Sequence, residues 1–550
     1  MSIILHSGRF FQPEAPASQE PGFADCLVVD GASGKIQHVG SAQDGAVLEA
    51  RAAGAVLHDM AGRVVVPGFI DSHMHLLHTG NQINRLDLSN CKSLHEIRQA
   101  IRDHARAHPD LARVVCRGWM QPWTEGGALA SDLDDLDPRP IYITAEDLHS
   151  AWCSSAAMEE MGVADMRDPP GGSICRDECG RPTGLLCESA ALRIVCFFLT
   201  QVSSVDERVQ HIRDAFDAYI SSGYTGLVDL ATDETEWGAL QAFRSRQPKG
   251  TLPIPMAIHW FVLPEASEQE RMEHVDRAIE LRKSFNAVDT PDCRITGIKI
   301  VCDGVVDSCT AAMQVPYAHN GHAEEPFWSL EQLAPVLKKA DGAGLQCALH
   351  AIGDAAIKMA IDALQQVGNP TGRHRIEHLE TCTPEDARRL GPLGIIASVQ
   401  PVHADPAILD EWPRLIGPER CKHMFPYAAL GEAGAVLALG TDSPTSSLKP
   451  LPNLYTATTR RSAREPGRPE QTTPQFALSL VAAMAAATRG AAYSCFADGG
   501  CGTLEVGKAA NLTVIAMEWD AQKLLEARVV ETWLGGQRIH VAALETAVTS

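Results

Sequence analysis

The most informative stretch of the sequence is Val64-Val65-Val66-Pro67-Gly68-Phe69-Ile70-Asp71-Ser72-His73-Met74-His75. It is typical of a buried strand that ends in two histidines. Because strand side chains alternate between faces, Asp71, His73 and His75 should project to one side. An isolated His-x-His is more often a hydrogen-bonded surface pair than a metal clamp. The metal interpretation therefore depends on whether further ligands follow at the ends of later strands.

The composition of the chain is that of an ordinary folded protein. Of its 550 residues, 45% are hydrophobic and 21% are charged, so disorder is not expected to dominate. The net charge of −22 argues against binding to nucleic acid or to an anionic membrane and favours a small-molecule partner. The 16 cysteines have no repeated spacing and are expected to be reduced. Neither a secretion signal nor a long apolar stretch is visible, so a cytoplasmic location is expected.

Both ends of the chain are rich in short strand-like runs, and the middle is not. We therefore expect residues 1–63 and 495–550 to form one small β-sandwich domain. Residues 64–494 would form the central body. A connection as long as residues 79–203 is expected to be an inserted subdomain or lid.

From Ser204 onward, strand-like and helix-like segments alternate. Ser204 with Glu207, and Ser329 with Gln332, have the spacing of helix N-terminal capping boxes. Eight strands separated mostly by helices predict an α/β fold, a (β/α)8 TIM-like barrel. The predicted barrel strands lie within residues 64–75, 226–230, 255–259, 297–303, 345–350, 374–378, 395–400 and 436–442.

Metal-competent side chains recur at the ends of five of these strands, where the catalytic groups of such barrels lie. Each one alone has an ordinary explanation, such as a buried structural histidine or a helix-capping aspartate. Their recurrence at the same strand position makes those explanations weaker. The candidates are His73, His75, Lys299, His350, His378 and Asp442.

Several motifs together resemble the amidohydrolase superfamily. They lie at residues 67–75, 350–354, 375–378, 440–444 and 502–512. Residues 297–304 and 182–188 are similar to the YtcJ-like branch, amidohydrolase family 3, which includes N-substituted formamide deformylase. The resemblance extends over nearly the whole chain.

The resemblance implies a site for two metal ions. His73 and His75 would hold one ion with Asp442, His350 and His378 would hold the other, and Lys299 would bridge them as a CO2-derived carbamate. These ligands suit Zn2+, with Mn2+ or Fe2+ also possible. Asp442 would be the catalytic residue, moving a proton from the attacking water to the leaving amine.

Four further residues are candidate substrate contacts. Trp119 could line a pocket, although packing inside the insert is the stronger expectation for a tryptophan there. His149 could reach the substrate, but a structural role in the insert is about equally expected. Asp303 could contact substrate or pair with Lys299, and His403 follows the seventh strand and could face the pocket.

These observations favour a metal-dependent hydrolase acting on a non-peptide carbon–nitrogen bond of an amide, formamide or cyclic amide. One alternative is a deaminase or decarboxylase with a single metal and an uncarboxylated Lys299. Another is a non-catalytic scaffold paralogue. A homodimer is expected only by analogy with the superfamily.

Overall fold

The structure is a computed structural model. It describes residues 1–12, 22–120, 123–124, 127–145, 150–169, 172–188 and 190–543, except the side chains of residues 188, 192 and 193. The chain divides into two compact units. The first comprises residues 1–76, 216–237 and 243–550, and the second comprises residues 77–215 and 238–242.

The first unit contains the predicted barrel, which is an eight-stranded parallel sheet. Neighbouring strands in the sheet follow one another along the chain. An isolated parallel β-bridge between Met74 and Ser443 also joins the first strand of this sheet to the segment that follows its last strand. The strands are β1 (Phe69–Met74), β2 (Tyr224–Thr232), β3 (Met256–Val262), β4 (Cys293–Val301), β5 (Gln346–Ala351), β6 (Arg375–His378), β7 (Ile396–Val399) and β8 (Leu437–Leu439). The eight-strand prediction is confirmed.

Helices follow most of the strands, as the capping signals predicted. Ser204 and Glu207 exchange reciprocal hydrogen bonds at the start of one helix, and Ser329 and Gln332 do so at another. The helices of this part of the chain are Val205–Ser221, Glu234–Ser245, Glu268–Ser284, Leu330–Gly342, Asp354–Val367, Pro384–Leu390, Trp412–Leu415, Pro418–Cys421, Tyr427–Glu432, Pro450–Thr459, Leu480–Ala485 and Ala491–Ser494. Among all helices that the structure describes, none has the length and apolar character needed to cross a membrane.

The two ends of the chain meet in a second eight-stranded sheet within the first unit. Leu512–Ala516 pairs antiparallel with Val64–Pro67, which in turn lies parallel to Ser2–Gln12. The remaining strands are Gly22–Asp30, Ile36–Gly40, Val56–Asp59, Arg528–Leu534 and Gln537–Val541, and one helix, Gly45–Ala52, accompanies them. The termini therefore come together as expected, with their strands joined in one hydrogen-bonded sheet.

The stretch 64–75 was expected to be one strand, and this expectation is wrong. Val64–Pro67 belongs to the terminal sheet, and Phe69–Met74 belongs to the barrel. The break occurs at Gly68, whose N–H donates to the carbonyl of Asn511. A Cβ at Gly68 would lie 2.3 Å from the Thr225 side chain, so only glycine fits where the chain passes between the sheets.

The second unit has a six-stranded sheet of its own. Its strands are Leu86–Asp87, Val114–Trp119, Ile141–Ala145, Ser150–Cys153, Gly172–Arg176 and Pro182–Glu188. Helices Leu94–Ala107, Ser155–Met161 and Phe197–Val202 belong to the same unit, and Leu76–Ile83 leads into it from β1. The bounds of this unit are wider than the insert of 79–203 expected from the sequence.

Candidate metal centre

The predicted metal ligands lie at the carboxyl ends of the barrel strands, where the fold places catalytic groups. His73 lies in β1, with His75 just beyond that strand. Lys299 lies in β4 and His350 in β5, while His378 ends β6 and Asp442 follows β8. His73, Lys299, His378 and Asp442 are buried, and His75 and His350 are partly exposed.

Three of these residues form a compact donor cluster. One ligand atom from each of His73, His378 and Asp442 lies within 4.8 Å of the other two. Oδ1 of Asp442 is also 3.2 Å from Nε2 of His73 and 3.0 Å from Nε2 of His75. The structure therefore brings together four of the six predicted ligands.

The other two predicted ligands lie beside this cluster. The ring centroid of His350 is 4.3 Å from that of His378, and its Nε2 is 3.4 Å from the carbonyl oxygen of Gly304. The Lys299 ammonium has no hydrogen bond or ion pair within 4 Å among the described residues. Burial lowers the pKa of Lys299, although the charges of Glu377 and Asp442 act in the opposite direction.

The backbone holds Asp442 and His378 in an uncommon conformation. Their φ angles are 55° and 75°, in the left-handed region that non-glycine residues rarely adopt. The N–H of Asp442 donates to the carbonyl of His73 over 2.7 Å. At Gly440, an added Cβ would lie 2.6 Å from Cβ of His73. Close contact between β1 and the segment after β8 thus fixes the position of the cluster.

The charges of the cluster favour an ionised Asp442. Burial by itself would raise the pKa of this carboxyl, but the adjacent His73 and His75 hold it well below its usual range. Burial also lowers the pKa of His350, to about 3, and lowers that of His378 well below its usual range. Neutral imidazoles and a carboxylate are the forms in which these side chains bind metal ions.

Glu377 and Arg375 are site residues that the sequence analysis did not single out. Both are fully buried, and Nε of Arg375 donates to Oε1 of Glu377 over 2.5 Å. Oε2 of Glu377 lies 2.8 Å from Nδ1 of His73. Arg375 and Glu377 are two residues apart on one strand and so share its face, a spacing that could have identified them.

Asp71 and Asp303 are both buried supports for the backbone around the site. Asp71 accepts hydrogen bonds from the backbone N–H and hydroxyl of Thr441, and so supports the segment just before Asp442. Asp303 accepts from the N–H groups of Ala312, Ile352 and Gly353. These contacts occupy both oxygens of Asp303 and favour a structural role over the predicted substrate contact or pairing with Lys299.

His403, the predicted substrate contact after the seventh strand, lies beside the cluster of His73, His378 and Asp442. Its Nδ1 is 3.2 Å from Oε1 of Glu380, and its Nε2 is 3.6 Å from Oδ2 of Asp442. The ligand atoms of His378, Glu380 and His403 also lie within 4.8 Å of one another. Glu380 was not identified from the sequence.

The two remaining predicted contacts belong to the second unit. Trp119 is 0% exposed and packs in the hydrophobic core of that unit, so its environment favours the packing interpretation. His149 lies outside the described residues. The predicted contact of each with substrate stays untested.

Comparisons with protein families and known proteins give several matches. The model of the amidohydrolase family matches residues 57–540. The chain is 31% identical to Protein LONG AFTER FAR-RED 3 of Arabidopsis thaliana, over 98% of this chain and 91% of that protein. It is 28% identical to the putative amidohydrolase YtcJ of Bacillus subtilis, over 87% and 89% of the two chains.

Two further matches are to an enzyme and to a solved structure. N-substituted formamide deformylase of Arthrobacter pascens is 25% identical over 93% of this chain and 94% of its own. The crystal structure of an uncharacterized metal-dependent hydrolase from Pyrococcus horikoshii OT3 shares the fold, with a TM-score of 0.76 and 24% identity. That match covers 94% of this chain and 98% of the other. The resemblance seen in the sequence is confirmed: the chain belongs to the amidohydrolase family.

Proposed function

We propose that this protein is a metal-dependent hydrolase that cleaves a non-peptide carbon–nitrogen bond in an amide, a formamide or a cyclic amide. The observation that carries the proposal is the convergence of His73, His378 and Asp442 at the carboxyl ends of three barrel strands. The similarity to N-substituted formamide deformylase supports the choice of bond.

The predicted ligands would hold two divalent ions. His73, His75 and Asp442 would hold one ion, His350 and His378 the other, and Lys299 would bridge them as a carbamate formed with CO2. Reaction with CO2 requires a neutral amine, and the burial that lowers the pKa of Lys299 favours that form. Zn2+ suits these imidazole and oxygen donors, and Mn2+ or Fe2+ are alternatives. When bound, the ions would lower the pKa of water and polarise the substrate carbonyl.

Asp442 would carry the proton during hydrolysis. Its carboxylate is held ionised by His73 and His75, so one of its oxygens would accept a proton from the attacking water. Asp442 would then deliver that proton to the leaving nitrogen as the carbon–nitrogen bond breaks. His73 and His75, which contact Oδ1, would keep the carboxylate oriented through both transfers.

A substrate panel with metal counting tests this proposal. The purified protein, loaded with Zn2+ or Mn2+, would be assayed with N-substituted formamides, simple amides and cyclic amides. We expect release of amine, or ring opening, that Asp442→Asn lowers at least about 10²-fold, the lower end of what a general acid–base group contributes. Failure of every substrate class with fully metal-loaded protein would contradict the proposal.

The alternative of a single-metal deaminase or decarboxylase has one observation in its favour. The three-donor cluster of His73, His378 and Asp442 needs neither Lys299 nor His350. Metal analysis separates the two possibilities. Near two equivalents support the carbamate bridge, whereas one equivalent that is unaffected by Lys299→Ala supports the single-metal alternative.

The non-catalytic alternative is kept open by the similarity to LONG AFTER FAR-RED 3, whose name states no activity. A scaffold protein has no requirement for bound metal ions. If His73→Ala leaves the metal content unchanged, the metal-dependent hydrolase is wrong and a scaffold role is favoured.

A further inference from the structure

The loops that follow β6 and β7 place a second donor cluster beside the first. It consists of His378, Glu380 and His403, whose ligand atoms lie within 4.8 Å of one another. The rings of His378 and His403 are nearly parallel, with centroids 5.7 Å apart. Glu380 is 5% exposed, and the side chain of His403 is 17% exposed. Two imidazoles and one carboxylate are a ligand set that binds Zn2+ in enzymes.

Hydrogen bonds hold the backbone of both loops in place, so the backbone helps to fix the positions of the three donor side chains. The carbonyl of Glu380 accepts the N–H of Phe425 over 2.6 Å, and Leu379 donates its N–H to the carbonyl of Ala351. On the other loop, the N–H of Val402 donates to the side-chain oxygen of Asn453 over 3.0 Å. Anchored loops preorganise the three side chains before an ion binds.

His378, which the two clusters share, has an unsatisfied ring nitrogen. Nδ1 of His378 is buried and has no hydrogen-bond partner among the described residues, although His378 is only 3% exposed. A buried polar atom without a partner is costly unless something satisfies it. A metal ion would satisfy this nitrogen, because a neutral imidazole nitrogen can donate its lone pair to the ion.

We propose that Glu380 and His403 are further ligands of the ion that His378 would hold. His378, Glu380 and His403 then form a metal position adjacent to that of His73, His75 and Asp442. This inference deepens the proposed function and rests on it for the presence of divalent ions. The arrangement implied by the family resemblance gives Glu380 and His403 no ligand role. This proposal makes both of them metal ligands.

Asp442 lies between the two positions. Its Oδ1 faces His73 and His75, whereas its Oδ2 is 3.6 Å from Nε2 of His403. A cation held by Glu380 and His403 would therefore add positive charge on the Oδ2 side of the proton-carrying carboxylate. The hydrogen bond between Glu380 and His403 is the competing explanation for their proximity.

Metal content separates the two explanations without any measurement of turnover. Full-length wild type, Glu380→Gln and His403→Asn would be equilibrated with Zn2+, passed through a desalting column and analysed by inductively coupled plasma mass spectrometry. We expect each variant to lose about one equivalent of zinc relative to wild type. His259→Asn is the matched control, because His259 is a buried barrel histidine bonded to Gln346 outside both clusters, and it should keep the wild-type content.

Retention of the full zinc content by both variants, with wild-type circular dichroism, would overturn the proposal. If Glu380→Gln does not fold, His403→Asn decides the question, because His403 is partly exposed and lies on the short turn Pro401–Ala404. Loss of turnover with unchanged zinc content in these variants overturns this metal position only. Absence of turnover in zinc-loaded wild type contradicts the proposed function instead.

Discussion

Nδ1 of His73 lies 2.8 Å from Oε2 of Glu377, and both side chains are buried. Burial alone would raise the pKa of Glu377, but Arg375 and His73 hold it well below its usual range, so the carboxylate is ionised. An ionised carboxylate only accepts hydrogen bonds, so Nδ1 of His73 carries the proton. Nε2 of His73, on the other side of the ring, lies 3.2 Å from Oδ1 of Asp442 and is the nitrogen that would bind a metal ion.

Removing the charge of Glu377 should weaken metal binding. We expect Glu377→Gln to lower zinc affinity roughly 10–100-fold, the usual effect of losing the partner that orients a histidine ligand. It should also destabilise the fold by about 3–5 kcal/mol, because Arg375 is left without its buried counter-charge. Chelator competition measures the first effect, and urea denaturation measures the second.

A matched control for that variant is Asp292→Asn. Asp292 forms a partly buried ion pair with Arg244 over 2.8 Å, just before β4 and so at the opposite end of the barrel strands. This variant should lose stability but keep its zinc affinity. Equal zinc affinity in Glu377→Gln and wild type would show that Glu377 has only a structural role.

Gly440→Ala should disturb the candidate metal centre through steric overlap alone. The added Cβ would lie 2.6 Å from both the Cβ and the backbone nitrogen of His73. We expect a loss of about 1–3 kcal/mol in the free energy of unfolding, typical of overpacking, together with weaker zinc binding. Gly238→Ala is the control, because a Cβ at Gly238 meets nothing within 4 Å and a helical alanine is favoured over glycine. A Gly440→Ala protein with wild-type zinc affinity would refute the prediction.

The stability of the metal-free protein should depend on pH through Asp303. Burial raises the pKa of this carboxyl from 3.8 to about 7. Because the folded state then holds the proton more tightly than the unfolded state, stability should fall as pH rises from about 4 to 7. The Asp303→Asn variant has no titratable group at this position. The amount by which the unfolding free energy of wild type exceeds that of the variant should therefore shrink as the pH rises over that range.

Urea denaturation of both proteins, at several pH values between 4.5 and 7.5 and in the presence of a chelator, checks this dependence. The asparagine should be less stable at low pH, because its NH2 group cannot accept the backbone N–H groups that both oxygens of Asp303 accept. A difference between the two proteins that stays constant with pH would contradict the assignment to Asp303.

Removal of the metal ions should lower the melting temperature. Ions that bind only the folded state stabilise it by about 2.7 kcal/mol at a free concentration of 100 Kd. Differential scanning calorimetry with added Zn2+ and with chelator should therefore give well-separated transitions for wild type. His73→Ala and His378→Ala should each lose most of this separation, since both residues belong to the three-donor cluster. An undiminished separation in both variants would contradict a metal role for this cluster.

The barrel and most of its candidate metal ligands could be predicted from the sequence. Strand and helix periodicities are local properties, and so is the position of a side chain at the end of its own strand. His73, His378 and Asp442 could therefore be identified without knowing their distances. The family resemblance added the expected role of Lys299, which no periodicity reveals.

The side chains that contact those candidate ligands could be identified only in the folded protein. Glu377 contacts His73 across 304 positions of sequence, and Glu380 meets His403 between two loops. Such contacts depend on how the strands close into a barrel, which local patterns do not specify. The division of residues 64–75 between two sheets could not be predicted from the sequence, for the same reason. Its cause, the lack of space for a side chain beside Thr225 at Gly68, exists only in the folded chain.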